Sequence, residues 1–130
     1  MDWVEIFSVF LVSHLAGDFL VQSDWQATHK AGGLGRDHVA RTALLNHTAT
    51  YGLCFLPALI WISAERSLGI AIAAAALVVA PHLIQDDGRL ITTYARRVKG
   101  LISAPGGLMV ALDQSFHVVA LFLAALILAA

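Results

Sequence analysis

Apolar residues gather in four long runs, and most of the charged residues lie in the short stretches between them. The runs cover residues 3–22, 42–63, 68–86 and 107–130. Each is close to the ~20 residues that an α-helix needs to cross the hydrocarbon of a bilayer. Between the third and fourth runs, Leu90, Ile91, Tyr94, Val98, Leu101 and Ile102 share one helical face, with Arg96, Arg97 and Lys99 elsewhere. That pattern predicts a short amphipathic helix lying in the membrane interface. Gly32, Gly33 and Gly35 predict a flexible turn, because the stretch lacks the length and the Lys-Ser/Thr of a phosphate loop. Pro105, Gly106 and Gly107 mark the break before the last run, and Pro81 is placed to kink the third. The expected fold is therefore all-α: a four-helix transmembrane bundle with one interfacial helix, in a single domain spanning 1–130.

Composition agrees with that class. Apolar residues make up 58% of the 130, charged residues 13%, and the mean hydropathy is +0.76. Soluble domains hold about 45–50% apolar and ~25% charged residues. The formal charge of −1 and the absence of an arginine–aromatic stripe argue against a nucleic-acid partner. The single cysteine, Cys54, lies inside an apolar run and reads as a small core residue. The first run lacks a basic leader and carries Asp18, so it is expected to be retained as a span and not cleaved.

Charge then orients the bundle. Residues 23–41 hold Lys30, Arg36 and Arg41, and residues 87–106 hold Arg89, Arg96, Arg97 and Lys99. Two spans separate these stretches, so they belong to one side. Arg66 is the eighth and last basic residue, on the other side. Seven against one predicts cytoplasmic loops and external termini in a bacterial inner membrane.

Each apolar run also carries a histidine, and three of the runs place an aspartate four residues away. The pairs are His14/Asp18, His82/Asp86 and Asp113/His117, with His47 alone on the second run. Four residues is about one turn, so each pair shares a helix face. An Asp at the bilayer centre costs roughly 2.5–3.5 kcal/mol even on the mildest scale. All seven residues fall within roughly 5–15 Å of the cytoplasmic boundary, at 1.5 Å per residue. One shared site explains that layer better than scattered structural contacts. Imidazole and carboxylate ligands from several helices suit a divalent metal, with zinc, manganese and iron as the candidates. His14, His47, His82 and His117 are the expected imidazole ligands. Asp18, Asp86 and Asp113 are expected as ligands or general base. Gln22, Arg89 and Gln114 flank the layer as candidate substrate-binding groups, Arg89 as a guanidinium able to clamp a phosphate. Arg41 is read as a topology signal, and His29 and His38 as solvated loop residues.

His14-x3-Asp18-Phe19-x2-Gln22, then Trp25 and Lys30, His47-x3-Tyr51, His82-x3-Asp86 and Asp113-Gln114-x2-His117 follow one another along nearly the whole chain. This order resembles a family of small bacterial integral membrane proteins known only as a domain of unknown function. The resemblance implies a fold and site positions, and no activity. Members often carry a lysine shortly after the third-span aspartate, where this chain has Arg89.

The function expected from these residues is a metal-dependent membrane hydrolase, acting from the cytoplasmic leaflet on a lipid or another apolar substrate. Membrane lipids are the expected partners, and a homo-oligomer or a larger membrane complex stays open. Two other readings compete. One is an ion or proton transport module with a His/Asp relay, which should continue toward the outer face. The other is a structural or haem-binding membrane subunit.

Overall fold

The computed structural model describes residues 1–103 and 105–130. Among them are seven α-helices and no strand. They are α1 (Trp3–Leu15), α2 (Asp24–His29), α3 (His38–Cys54), α4 (Leu56–Glu65), α5 (Leu68–Asp86), α6 (Arg89–Arg97) and α7 (Gly106–Ala129). Side-chain oxygens hold the first turns of α1, α2, α3 and α5, because the leading N–H groups of a helix have no partner inside it. Asp2 and Glu5 form a reciprocal box at α1, and Ser23 and Gln26 form another at α2. Asp37 caps α3, and Ser67 caps α5.

The first, third and fourth runs form helices long and apolar enough to cross a membrane: Trp3–Val21, Leu68–Asp86 and Gly106–Ala129. The second run departs from the single span expected over 42–63. It is two helices, α3 and α4, bent by 46° at Phe55. Pro57, in the first turn of α4, has no N–H to continue the ladder from α3. Counting the bent pair as one span gives four. Pro81, in contrast, sits inside an unbroken α5. The amphipathic segment is also shorter than expected, its helix ending at Arg97 and not near residue 102.

Helix α5 packs against α3, α4 and α7, and α1 packs against α7. The long loops meet at one end. Asp87 O accepts from Gly32 N at 2.8 Å, and Asp87 Oδ1 accepts from Leu34 N at 2.8 Å. Gly32 has φ of +80°, which a side chain would strain. At the other end, Arg66 Nη2 donates to the carbonyls of Leu128 (3.3 Å) and Met1 (3.5 Å), gathering both termini beside the α4–α5 turn.

The interior is zoned along the same axis. Toward the termini it is apolar, with Ile6, Phe10, Phe55, Ile62 and Leu121 buried together. Toward the loops it is polar, with His14, Asp18, His47, His82, Asp86 and His117 buried. The outer faces expose large apolar side chains such as Val12, Leu20, Ile60, Ile72 and Ile127. Water would not favour that surface; hydrocarbon would.

Candidate metal centre

Four elements deliver the polar layer. On α5 the buried stripe Ala71, Ala74, Val78, His82, Gln85 and Asp86 recurs every three or four residues. His82 and Asp86 therefore continue the core face. His47 occupies the same face of α3 as Ala43, Leu44 and Tyr51. His117 and Asp113 lie on α7.

His14 and Asp18 depart from the simple one-turn picture. After Leu15 the chain widens into a π-helical turn over Ala16–Val21, closed by Gln22 N donating to Gly17 O at 3.1 Å. Such turns re-aim side chains and recur at functional sites. This one sits against α3 so closely that a Cβ on Gly17 would lie 2.6 Å from Tyr51 Cδ2. Glycine lets the turn approach Tyr51 and carries Asp18 into the interior.

Asp18 Oδ1, His47 Nε2, His82 Nε2 and Asp86 Oδ2 converge. His47 Nε2 lies 2.8 Å from Asp86 Oδ2, 3.1 Å from His82 Nε2 and 3.3 Å from Asp18 Oδ1. His82 Nε2 lies 3.1 Å from Asp86 Oδ2 and 3.8 Å from Asp18 Oδ1. Ligands ~2.1 Å from a tetrahedral ion stand about 3.4 Å apart. The five separations bracket that value. All four side chains are at most 4% exposed, so the set could hold a metal ion without admitting bulk water.

Asp86 faces two ways. Its Oδ1 lies 3.3 Å from His117 Nε2, and Asp86, Asp113 and His117 form a second group able to hold a metal ion. Of the seven residues, Asp113 is the open one, with its side chain 30% exposed. Gln114 ties the groups together. Its Nε2 donates to Asp18 Oδ2 at 3.2 Å and Asp113 Oδ2 at 3.3 Å, and its Oε1 accepts from His14 Nε2 at 2.9 Å. Two carboxylates on the amide nitrogen leave the oxygen for His14. With Nε2 donating, His14 Nδ1 accepts from the Tyr51 hydroxyl at 3.2 Å. His14 thus has both ring nitrogens engaged and lies outside the two groups. It supports Gln114 and stacks on His117, ring centroids 5.3 Å apart.

The flanking residues behave differently from one another. Gln22 accepts from Lys30 Nζ at 2.6 Å, and that ammonium reaches Asp86 Oδ2 at 2.7 Å. Lys30 therefore touches the centre, although it enters from the loop after α2. Tyr51 is the second contact that spacing on one helix does not reveal: its ring stacks on His82 with centroids 3.4 Å apart and planes 5° from parallel. Both residues stand in the ordered pattern of the whole chain, which is the sequence signal for them. Arg89 turns away. Gly88, at φ +78°, redirects the chain, and Arg89 pairs with Asp87 instead of reaching the histidines. The hydrogen bond from Arg89 holds the Asp87 carboxyl below its usual range, and Asp87 in turn raises the guanidinium. His29 and His38 are exposed as expected but lie at helix ends and not in a loop: His29 closes α2, stacked on Trp25, and His38 opens α3.

The family described as "Protein of unknown function (DUF3307)" matches residues 6–130, and the chain belongs to it. No curated protein and no solved structure shows significant similarity to the chain.

Proposed function

Taking the chain as a member of a family without an assigned activity, we propose that it is a metal-dependent hydrolase of the bacterial inner membrane. It acts on a lipid or another apolar substrate from the cytoplasmic leaflet. The observation that supports this reading is the convergence of one ligand atom each from Asp18, His47, His82 and Asp86, all within 4.8 Å of one another. Zinc, manganese or iron suits those ligands. A bound ion of this kind polarises a carbonyl or phosphoryl oxygen and lowers the pKa of water to near 7. Asp113, open where the others are sealed, is the group that takes a proton from that water. Gln114 and His14 fix the carboxylates in place, and Gln22 fixes Lys30. Seven basic residues at the loop end against Arg66 at the other support cytoplasmic loops and external termini. The relay reading is disfavoured by the apolar filling of the opposite half, where Ile6, Phe10, Phe55 and Ile62 offer no proton path.

Elemental analysis of protein purified in detergent tests the reading, together with an optical spectrum and metal-dependent release of headgroups from inner-membrane lipid. The wild type is expected to carry zinc, manganese or iron, with no haem absorbance. His82→Ala is expected to lose the metal while remaining inserted and folded, because losing a buried imidazole relieves the cost of placing it there. A metal-free wild type, or His82→Ala with full metal content, would overturn the assignment.

Lys30 supplies a further expectation. An ammonium 2.7 Å from Asp86 Oδ2 neutralises a ligand and repels a cation. Lys30→Met is expected to tighten metal binding by about tenfold or more, ~1.4 kcal/mol. Competition against a chelator of known affinity measures this. Weaker binding would instead make Lys30 part of what holds the loop over the centre.

A further inference from the structure

We propose that the centre takes two metal ions, bridged by the carboxylate of Asp86, with Asp113 and His117 holding the second. This rests on the metal reading above and adds a site to it. The carrying observation is a pair of buried atoms that lie close together, neither with a hydrogen-bond partner. Asp86 Oδ1 and His117 Nε2 are 3.3 Å apart, on side chains 1% exposed. His117 Nδ1 lies 2.9 Å from the carbonyl oxygen of Asp113. A carbonyl can only accept, so Nδ1 carries the hydrogen, and a neutral ring has its lone pair on Nε2. Two acceptors then lie 3.3 Å apart in the interior. A cation between them satisfies both.

The rest of the arrangement fits a bridge. Asp86 Oδ2 belongs to the group with Asp18, His47 and His82, whereas Oδ1 turns to His117. One carboxylate therefore offers an oxygen to each position, as in two-metal sites whose ions stand ~3.5–4 Å apart. The imidazole of His117 is oriented by a backbone carbonyl, the second-sphere bond that metal-bound histidines usually make. Asp18, Asp86 and Asp113 supply three negative charges against four from two divalent ions and one from the Lys30 ammonium, 2.7 Å from Asp86 Oδ2. A bound hydroxide beside the open Asp113 would leave one net positive charge, which suits an anionic substrate. For the substrate, two ions clamp both the attacking and the leaving oxygen of a phosphoryl group, which points to a phosphoester or pyrophosphate on an apolar carrier.

Metal stoichiometry separates this proposal from the reading beneath it. Full-length protein in detergent is stripped with chelator, reloaded with zinc, desalted and analysed for metal per chain. The wild type is expected to hold two ions, and Asp113→Asn and His117→Ala one each. Asp113 is part-exposed, so Asp113→Asn remains informative if His117→Ala fails to fold. Reloading with manganese(II) should give the exchange-coupled electron paramagnetic resonance signal of a pair, replaced in Asp113→Asn by that of an isolated ion. One ion in both wild type and Asp113→Asn would overturn the second site and leave the first, with His117 then a cation paired to Asp86. Two ions in every variant would also overturn it. No ion in any of them would overturn both.

Discussion

Asp86→Asn is expected to have the largest effect of any single substitution in this chain. The carboxylate is the meeting point of the polar layer: Oδ2 lies 2.8 Å from His47 Nε2, 3.1 Å from His82 Nε2 and 2.7 Å from Lys30 Nζ, and Oδ1 lies 3.3 Å from His117 Nε2. An amide keeps the shape and removes the charge. Second-sphere losses alone weaken metal binding about 10–100-fold. A direct ligand shared by both positions should therefore cost more than ~100-fold. Lys30 would also be left without its carboxylate, with its side chain only 15% exposed. Breaking a buried ion pair by removing one partner costs about 3–5 kcal/mol. The expected result is loss of metal together with lowered stability to denaturant in detergent. Combining Asp86→Asn with Lys30→Met separates the two effects. Stability should largely return, since no unpaired ammonium remains, while metal binding should not. Full metal content in Asp86→Asn would remove Asp86 from the site.

Much of this layer is legible in the sequence because α5 and α7 are regular. In an unbroken helix, His82/Asp86 and Asp113/His117 must share a face, and the structure keeps them there. The His14/Asp18 pair is less direct. A π-helical turn intervenes, and the 3.7 Å between His14 Nδ1 and Asp18 Oδ2 comes with a different division of labour. Asp18 enters the four-atom set, whereas His14 is taken up by Gln114 and Tyr51. Nothing in a four-residue spacing distinguishes those two outcomes. Glycine at 17, ahead of Asp18, is the local hint, since it admits the close approach to Tyr51.

Contacts made by loops are less legible, because helical periodicity says nothing about them. Lys30 reaches Asp86 across 56 positions of sequence. It does so only because Gly32 and Leu34 are fastened to Asp87, which draws the first loop over the end of α5. Arg89 shows the converse. It is three residues from Asp86 and looks close in sequence, yet the left-handed turn at Gly88 sends it to Asp87. The bend between α3 and α4 is a different case. Pro57 stood in the run, and a proline inside a helix removes a hydrogen bond wherever it falls. What the run could not give was the degree of bending, which depends on how α4 packs against α5.

Metal loading is expected to raise the unfolding temperature of the wild type by a large margin, and a chelator to reverse it. The physical cause is mass action. An ion that binds only the folded chain stabilises it by RT ln(1 + [L]/Kd), about 4 kcal/mol at a thousandfold excess over Kd. The donors come from the π-helical turn, α3, α5 and α7, which have no local reason to stay together once the chain opens. The metal-free protein should nevertheless remain folded, because Phe10, Phe55, Ile62 and Leu121 form an apolar core outside the polar layer. Without metal, His82→Ala should therefore unfold near the temperature of the chelated wild type, and added zinc, manganese or iron should raise that temperature much less than in the wild type. That pairing of an intact fold with a reduced response distinguishes a site from a structural network. Removing one member of a hydrogen-bonded network leaves buried polar partners unsatisfied, at about 1–3 kcal/mol each. A network would make His82→Ala unfold well below the chelated wild type. If instead none of the three metals shifts the wild type, the polar layer is holding the helices together by itself, with Lys30 as its cation.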